Sequence, residues 1–286
     1  MKLYTFSFQN QTKIGAKVEG RLADLTALLG IKTMTELIEK YDTLPITKAI
    51  DNASADKFFD FEEVEIKMPV TPQTVWCSGL NYKSHVLENP NAKFLSEPRF
   101  FAKLPNSLIG PNEAILHPGD AFQVDYEVEF AVVLGKTASR LTEPNAMEHI
   151  FGYTILHDVG ARYIQFKDNN EMMGKNFDTF CPIGPCIVTK DEIPDPTQVR
   201  LRTRLNGQLM QDGCNDEWLF SLPHLLSWLT MACTLRAGDI VSTGTPMGIG
   251  FFRNPQVFLK DGDVVELEIP EIGKLVNPVV AASYHR

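Results

Sequence analysis

The stretch Val124-Asp125-Tyr126-Glu127-Val128-Glu129-Phe130-Ala131-Val132-Val133-Leu134-Gly135 decides how this chain of 286 residues is read. Its second half is β-branched and aliphatic and stops at a glycine, the pattern of a buried strand running into a turn. Side chains alternate across a strand, so Asp125, Glu127 and Glu129 are expected on one face. Three carboxylates side by side at the mouth of a buried strand repel one another and raise each other's pKa values. A divalent cation relieves that repulsion. An all-oxygen donor set, with no Cys or His at ligand spacing, suits Mg²⁺, Mn²⁺ or Ca²⁺ better than zinc. An exposed, solvated acidic face is the other reading that this stretch permits by itself.

Working outward, residues 143–150 have helical spacing, and Phe151-Gly152-Tyr153-Thr154-Ile155-Leu156-His157-Asp158-Val159 reads as a second apolar strand. A strand–helix–strand crossover then brings Asp158 back as a further oxygen ligand, with His157 pointing the other way. Upstream, an apolar strand ends at Gly79 and a helix is expected from about Tyr82 until Pro90 stops it. His85 and Glu88 are three apart and share a helix face. A histidine oriented by a carboxylate is the usual construction of a general base, and an exposed His beside an exposed Glu is the plainer alternative. Residues 96–103 read as a strand carrying Lys103 at its end, and 111–118 as a proline-bounded connection.

Downstream, residues 174–185 are loop-rich and hold Lys175 among small and polar neighbours. Buried beside a cation, Lys175 would stabilise an enolate; solvated, it is an ordinary loop lysine. Residues 199–210 alternate and turn at Asn206-Gly207, a strong hairpin signal. An apolar helix over 219–231 belongs to the core. Residues 240–250 form a strand feeding a Gly/Thr/Pro loop whose amides could cradle a carboxylate. That loop lacks the P-loop lysine pattern of a nucleotide site. Two strands, 262–269 and 273–280, close the chain.

Residues 1–70 form a small N-terminal module with a structural or interface role, joined through Pro69-Val70-Thr71-Pro72 to the larger unit of 71–286. A net charge of −9 and the absence of a basic patch argue against nucleic acid as partner. No apolar run is long enough to span a bilayer, and the start lacks the basic-then-apolar pattern of a signal peptide. Five scattered cysteines without a CxxC pair match reduced thiols, which makes the cytosol the expected compartment.

Five motifs then appear in order: Gly-Leu-Asn-Tyr-x-x-His-x-x-Glu (79–88), Asp-Tyr-Glu-Val-Glu (125–129), His-Asp-Val-x-Ala-Arg (157–162), Gly-Lys-x-Phe-Asp-Thr-Phe-Cys-Pro-x-Gly-Pro (174–185) and Gly-Asp-Ile-x-x-Thr-Gly-Thr-Pro-x-Gly-x-Gly (238–250). Together they resemble the fumarylacetoacetate hydrolase family over about residues 75–280. Residues 251–260 bring the chain nearest to the domain-containing protein 2 branch, linked to oxaloacetate keto–enol tautomerisation. The resemblance implies an α+β, β-rich fold, a mixed β-sheet roll preceded by a small N-terminal α/β module, and a homodimer. It implies metal ligands at Glu127, Glu129 and Asp158, with Asp125 outside the set, and Mg²⁺ or Mn²⁺ as the ion. His85, Glu88 and Lys175 fall on catalytic positions, and Lys103, Arg162 and Thr245 on substrate-binding ones. The implied substrate is a small 2-oxo acid or 1,3-dicarbonyl acting through an enolate: oxaloacetate, tautomerised or decarboxylated, or an acylpyruvate hydrolysed at a C–C bond. A non-catalytic dimeric binder of metal and metabolite, and an isomerase of the 2-hydroxyhepta-2,4-diene-1,7-dioate type, are the alternatives. The chain departs from the family pattern at Gly160, Tyr163 and Asn215 and in a short connection from Arg162 to Lys175, which puts the substrate in question.

Overall fold

The structure, a computed structural model, describes residues 1–283. The strand Val128–Leu134 is buried along its whole length. Val128, Phe130, Val132 and Leu134 pack on one side with Leu201, Val265, Leu267 and Leu275. Ala131 and Val133 pack on the other with Cys77, Phe101, Leu156 and Leu37. Each fully buried Val, Leu or Phe contributes about 1.5–3 kcal/mol, so this doubly covered strand fixes the centre of the molecule. Glu127 and Glu129 continue the Ala131–Val133 face by period-two alternation.

The strand lies inside a twelve-stranded mixed sheet. Ile150–His157 runs antiparallel on one side of it and Ile240–Ser242 antiparallel on the other. Val75–Gly79 follows in parallel with Ile240–Ser242, and Arg99–Lys103 forms the edge. Beyond Ile150–His157 comes Cys181–Thr189, where a Cβ at Gly152 would sit 2.2 Å from the Val188 carbonyl; only glycine permits this approach. A five-stranded sheet, built from the hairpin Arg200–Leu205 and Gln208–Cys214 with Val264–Ile269, Gly273–Ala281 and Ile115–His117, covers the Phe130 face.

The β-rich α+β class is therefore as expected, but three local expectations change. Val128–Leu134 and Ile150–His157 are antiparallel neighbours rather than a crossover pair, linked by the short helix Glu143–Ala146 and a 3₁₀ turn at Met147–His149. The connection over 111–118 contains the strand Ile115–His117, and the loop-rich 174–185 passes into the strand Cys181–Thr189. Prolines masked both, since their missing N–H groups argue against a strand until the unpaired side is known.

Residues 1–70 contribute strands to the same large sheet. Lys2–Phe8 pairs with Cys181–Thr189 through Lys2↔Val188 and Leu3↔Ile187, and with Gln11–Val18 on its other side. Leu25, Met34, Leu37 and Ile38 from the module's helices cover the Ala131 face. Expression of residues 71–286 alone is expected to yield aggregated protein, because deletion opens the Cys181–Thr189 edge and uncovers this apolar face. Size-exclusion chromatography and circular dichroism check this; a folded, monodisperse fragment would show that the larger unit stands alone.

Candidate active site

The register of Val128–Leu134 on Ile150–His157 places Glu129 opposite Leu156. One step further, the Asp158 amide donates to the Glu127 carbonyl at 3.0 Å, so Glu127 and Asp158 meet on one face. One oxygen from each of Glu127, Glu129 and Asp158 lies within 4.8 Å of the others, and all three residues are buried. The exposed-face alternative is thereby excluded. Asp125 is not among them, against the simple alternation of the sequence. The strand breaks at Tyr126 and Glu127, and Val124–Asp125 pairs instead with Gly160–Ala161. There the Asp125 carboxylate accepts from Arg162 Nε at 2.8 Å and from the amides of Tyr126, Gly250 and Phe251 at 2.9, 2.7 and 3.0 Å.

Three buried cations, Lys103, Arg162 and Lys175, reach the carboxylate group. Lys175 Nζ donates to Glu127 Oε2 at 2.5 Å and Asp158 Oδ2 at 2.6 Å. Arg162 NH2 donates to Glu127 Oε1 at 2.5 Å, and the Ser242 hydroxyl to Glu129 Oε2. Burial pushes the Glu127 pKa up, but Arg162 and Lys175 outweigh it and hold the carboxyl well below the ordinary range. Glu129 goes the other way: burial, then the charges of Asp158 and Glu127, raise it well above. Asp158 is also raised, burial outweighing its neighbours Lys103 and Lys175. Lys103 Nζ lies 2.5 Å from Asp158 Oδ1, yet with Asp125 four buried carboxylates meet three buried cations, so negative charge is in excess here. Three converging buried carboxylates, of which Glu129 meets a hydroxyl and no cation among the described residues, fit a hard divalent cation. His157, pushed down to about 3 by burial and then by Lys103, stands outside the group.

The group opens into a cavity of about 200 Å³. Lys175, Arg162, His85 and Thr245 line it, with apolar walls from Phe101, Phe166, Ile249 and Phe252. His85 sits on the short helix Lys83–Glu88, its Nδ1 2.8 Å from Glu88 Oε2. A carboxylate partner selects the tautomer with hydrogen on Nδ1, leaving the Nε2 lone pair available. The other Glu88 oxygen accepts from the Gly248 amide at 2.7 Å, and the Met247 amide donates to Ser84 Oγ at 3.2 Å. Gly248 has φ +104 and would bring a Cβ to 2.4 Å from the Met210 carbonyl, so glycine is required for this clasp.

Of the sequence-derived candidates, His85, Glu127, Glu129, Asp158, Arg162, Lys175 and Thr245 line the cavity, Glu88 touches His85, and Lys103 lies behind Asp158, apart from its expected role. Its side chain is wholly buried, 2.5 Å from Asp158 Oδ1. Its Nζ donates to the carbonyls of Val159, Lys175 and Phe180 at 3.0, 2.6 and 2.8 Å. An ammonium has three donors, so none is left for a substrate carboxylate. The amides of the Gly/Thr/Pro loop likewise cradle the protein's own Glu88 and Asp125. Asn215 is buried between the Tyr82 hydroxyl and the Pro196 carbonyl rather than facing the cavity. Gly160 does shape the site, since a Cβ there would lie 3.2 Å from Lys175 Cδ and Cε. Gln211 went unnoticed in the sequence. Its Nε2 donates to Thr245 Oγ1 and the Pro246 carbonyl, both at 2.9 Å, and its Oε1 accepts from Val128 N and Thr203 Oγ1. The signal was a polar residue in the inward register of a hairpin strand.

Replacing Lys103 by Met is expected to destabilise the fold by about 3–5 kcal/mol, the usual consequence of stripping one partner from a buried ion pair. Thermal or denaturant unfolding checks this; unchanged stability with a raised KM would restore Lys103 to the substrate.

The model of the family described as "Fumarylacetoacetate (FAA) hydrolase C-terminal" matches residues 74–280. A Xenopus laevis protein named oxaloacetate tautomerase fahd2, mitochondrial, is 44% identical over 220 residues, covering 76% of this chain and 69% of the relative. The human oxaloacetate tautomerase FAHD2A, mitochondrial, is 40% identical over 253 residues, covering 87% and 80%. Among solved structures, a fumarylacetoacetate hydrolase from psychrophilic Exiguobacterium antarcticum superposes with a TM-score of 0.85 at 36% identity, covering 99% of this chain and all of that one. A maleylpyruvate hydrolase from a Sphingobium species, in complex with manganese(II) and pyruvate, gives 0.83 at 27% identity, covering 99% and 100%. With the family pattern spanning most of its length and a relative of known family at 44% identity, this chain belongs to the fumarylacetoacetate hydrolase family of enzymes.

Proposed function

We propose that this enzyme binds Mg²⁺ or Mn²⁺ at Glu127, Glu129 and Asp158 and interconverts the keto and enol forms of a small 2-oxo acid, oxaloacetate foremost. The observation that carries this reading is convergence: three buried carboxylates, the Lys175 ammonium and the His85–Glu88 pair face one small cavity. The names of the Xenopus and human relatives support oxaloacetate, and the manganese and pyruvate of the Sphingobium hydrolase support the ion and the 2-oxo acid class.

Held by Glu127, Glu129 and Asp158, a divalent cation would supply Lewis-acid polarisation of the substrate's 2-oxo group. His85, with Nδ1–H held by Glu88, takes a proton from carbon 3 at Nε2. The electrons of that C–H bond move into the C2–C3 bond, and the charge gathering on the 2-oxo oxygen faces the Lys175 ammonium. The imidazolium then returns the proton to that oxygen. Thr245 supports substrate binding: Gln211 fills its acceptor side, leaving its hydroxyl hydrogen free for a substrate oxygen. Arg162 contributes chiefly by fixing Glu127.

A second reading uses the same residues. With a carbonyl at carbon 4, His85 could activate water against it and hydrolyse the C–C bond of an acylpyruvate. A homodimer, and a small N-terminal unit over 1–70 bracing a catalytic unit over 71–286, complete the proposal. Five free cysteines support a reducing compartment, the cytoplasm or the mitochondrial interior named for the animal relatives. Among the described residues, no helix is long and apolar enough to cross a membrane.

Oxaloacetate followed by ultraviolet absorbance with Mg²⁺ or Mn²⁺, with pyruvate assayed alongside, tests the reaction. Enol loss without pyruvate is the expected result; pyruvate release would mean decarboxylation, and inertness toward oxaloacetate would overturn the reading in favour of acylpyruvates. His85→Ala is expected to lower kcat by about 10²–10⁴ with metal binding retained, as for loss of a general base. Unchanged turnover in that variant would remove His85 from the mechanism.

A further inference from the structure

The edge strand Arg99–Lys103 presents Arg99, Phe101 and Lys103 on one face, since side chains alternate along it. Lys103 lies at the bottom, against Asp158. Phe101 is next, its ring centroid 5.6 Å from Lys175 Nζ. Arg99 is the last step, at the cavity mouth, with its Cδ 3.9 Å from a Cβ built on Gly79. Two residues along a strand span about 6.6 Å, so the Arg99 backbone stands that far above Phe101, toward the opening.

Of the cations lining the cavity, Lys175 and Arg162 already hold Glu127, Asp158 and Asp125. Arg99 differs. Its side chain is 49% exposed, and its NH2 donates to Glu171 Oε2 at 2.5 Å, which leaves most of a guanidinium's five donors for a ligand. Glu171 also lines the cavity, and its carbonyl accepts from the Lys175 amide at 3.0 Å. The Arg99–Glu171 pair thus ties the cavity mouth to the turn that carries Lys175.

We propose that Arg99 is a specificity-determining residue that binds the distal carboxylate of a 2-oxo dicarboxylate, with Glu171 as the internal anion that the substrate displaces. The proposal rests on the reading of the cavity as a 2-oxo acid site. The 2-oxo end lies among Lys175 and the carboxylate group, and the second carboxylate reaches outward past Phe101 to Arg99. That span suits a four- or five-carbon diacid. A neutral tail would leave the guanidinium with Glu171 and gain nothing from it, so acylpyruvates with apolar tails are the poorer ligands. A bidentate carboxylate–guanidinium contact is directional and charge-assisted, which makes it a discriminating one.

Calorimetry on the full chain with Mn²⁺ present tests this with three probes: oxalate, which has no tail, malate, which carries the distal carboxylate, and 2-hydroxybutyrate, which replaces it with a methyl. In Arg99→Gln, malate affinity is expected to fall about tenfold while oxalate and 2-hydroxybutyrate stay within about twofold, and Arg99→Lys recovers only part of the loss. Glu171→Gln is expected to move malate the opposite way, tightening it by removing the competing anion. Equal effects of Arg99→Gln on malate and oxalate, or none on either, would overturn the assignment of Arg99 while leaving the 2-oxo acid reading intact. A wild-type protein that binds neither oxalate nor malate with Mn²⁺ would overturn that reading and this proposal with it.

Discussion

Four buried carboxylates, Asp125, Glu127, Glu129 and Asp158, are matched by only three buried cations, Lys103, Arg162 and Lys175. Charges removed from water are tolerated only when paired and hydrogen-bonded, so this imbalance constrains everything around it. Asp125 and Glu127 are satisfied by Arg162, Lys175 and backbone amides. Glu129 is left without a cation, and burial, then the charges of Asp158 and Glu127, push its carboxyl up; burial also raises Asp158 despite Lys103 and Lys175 beside it. A divalent cation held there would offset the excess charge at one point.

The fold supplies this arrangement through features whose purpose is visible only together. The doubly buried strand Val128–Leu134 carries Glu129, its register on Ile150–His157 brings Asp158 alongside, and the Asp158 amide ties in the Glu127 carbonyl just before the strand. Lys103 draws the carbonyls of Val159, Lys175 and Phe180 to a single ammonium, so the backbone on both sides of the site converges there. The loop over 245–251 closes the opposite wall. Its amides grip Glu88 at Gly248 and Asp125 at Gly250 and Phe251, so the proton-transfer pair and the ion-pair network share one piece of backbone.

Much of this was legible in the sequence, and the limits have physical causes. Alternation and acidity singled out Glu127 and Glu129, and i,i+3 spacing paired His85 with Glu88, because both rest on local geometry. Alternation alone put Asp125 with the ligands, while the family resemblance set it apart; the backbone leaves the strand at Tyr126–Glu127, and Asp125 turns to Arg162 and Gly250, far along the chain. Lys103 was taken for a substrate contact because its partners are main-chain carbonyls 56 to 77 residues away, which leave no side-chain pattern to read. Gln211 escaped for the same reason: it orients Thr245 from another sheet. The hydrogen bonding of residues 1–70 into the large sheet depends on a pairing between Leu3 and Ile187 that periodicity does not encode.

Manganese binding to the purified, metal-stripped protein, followed by electron paramagnetic resonance, tests the charge imbalance most directly. One Mn²⁺ per chain is expected in the wild type. In Glu129→Gln binding is expected to be lost while the metal-free protein unfolds at the same temperature or higher, since an amide replaces a carboxyl already strained by its neighbours. Retained Mn²⁺ binding in Glu129→Gln, or a metal-free variant markedly less stable than the wild type, would contradict the account.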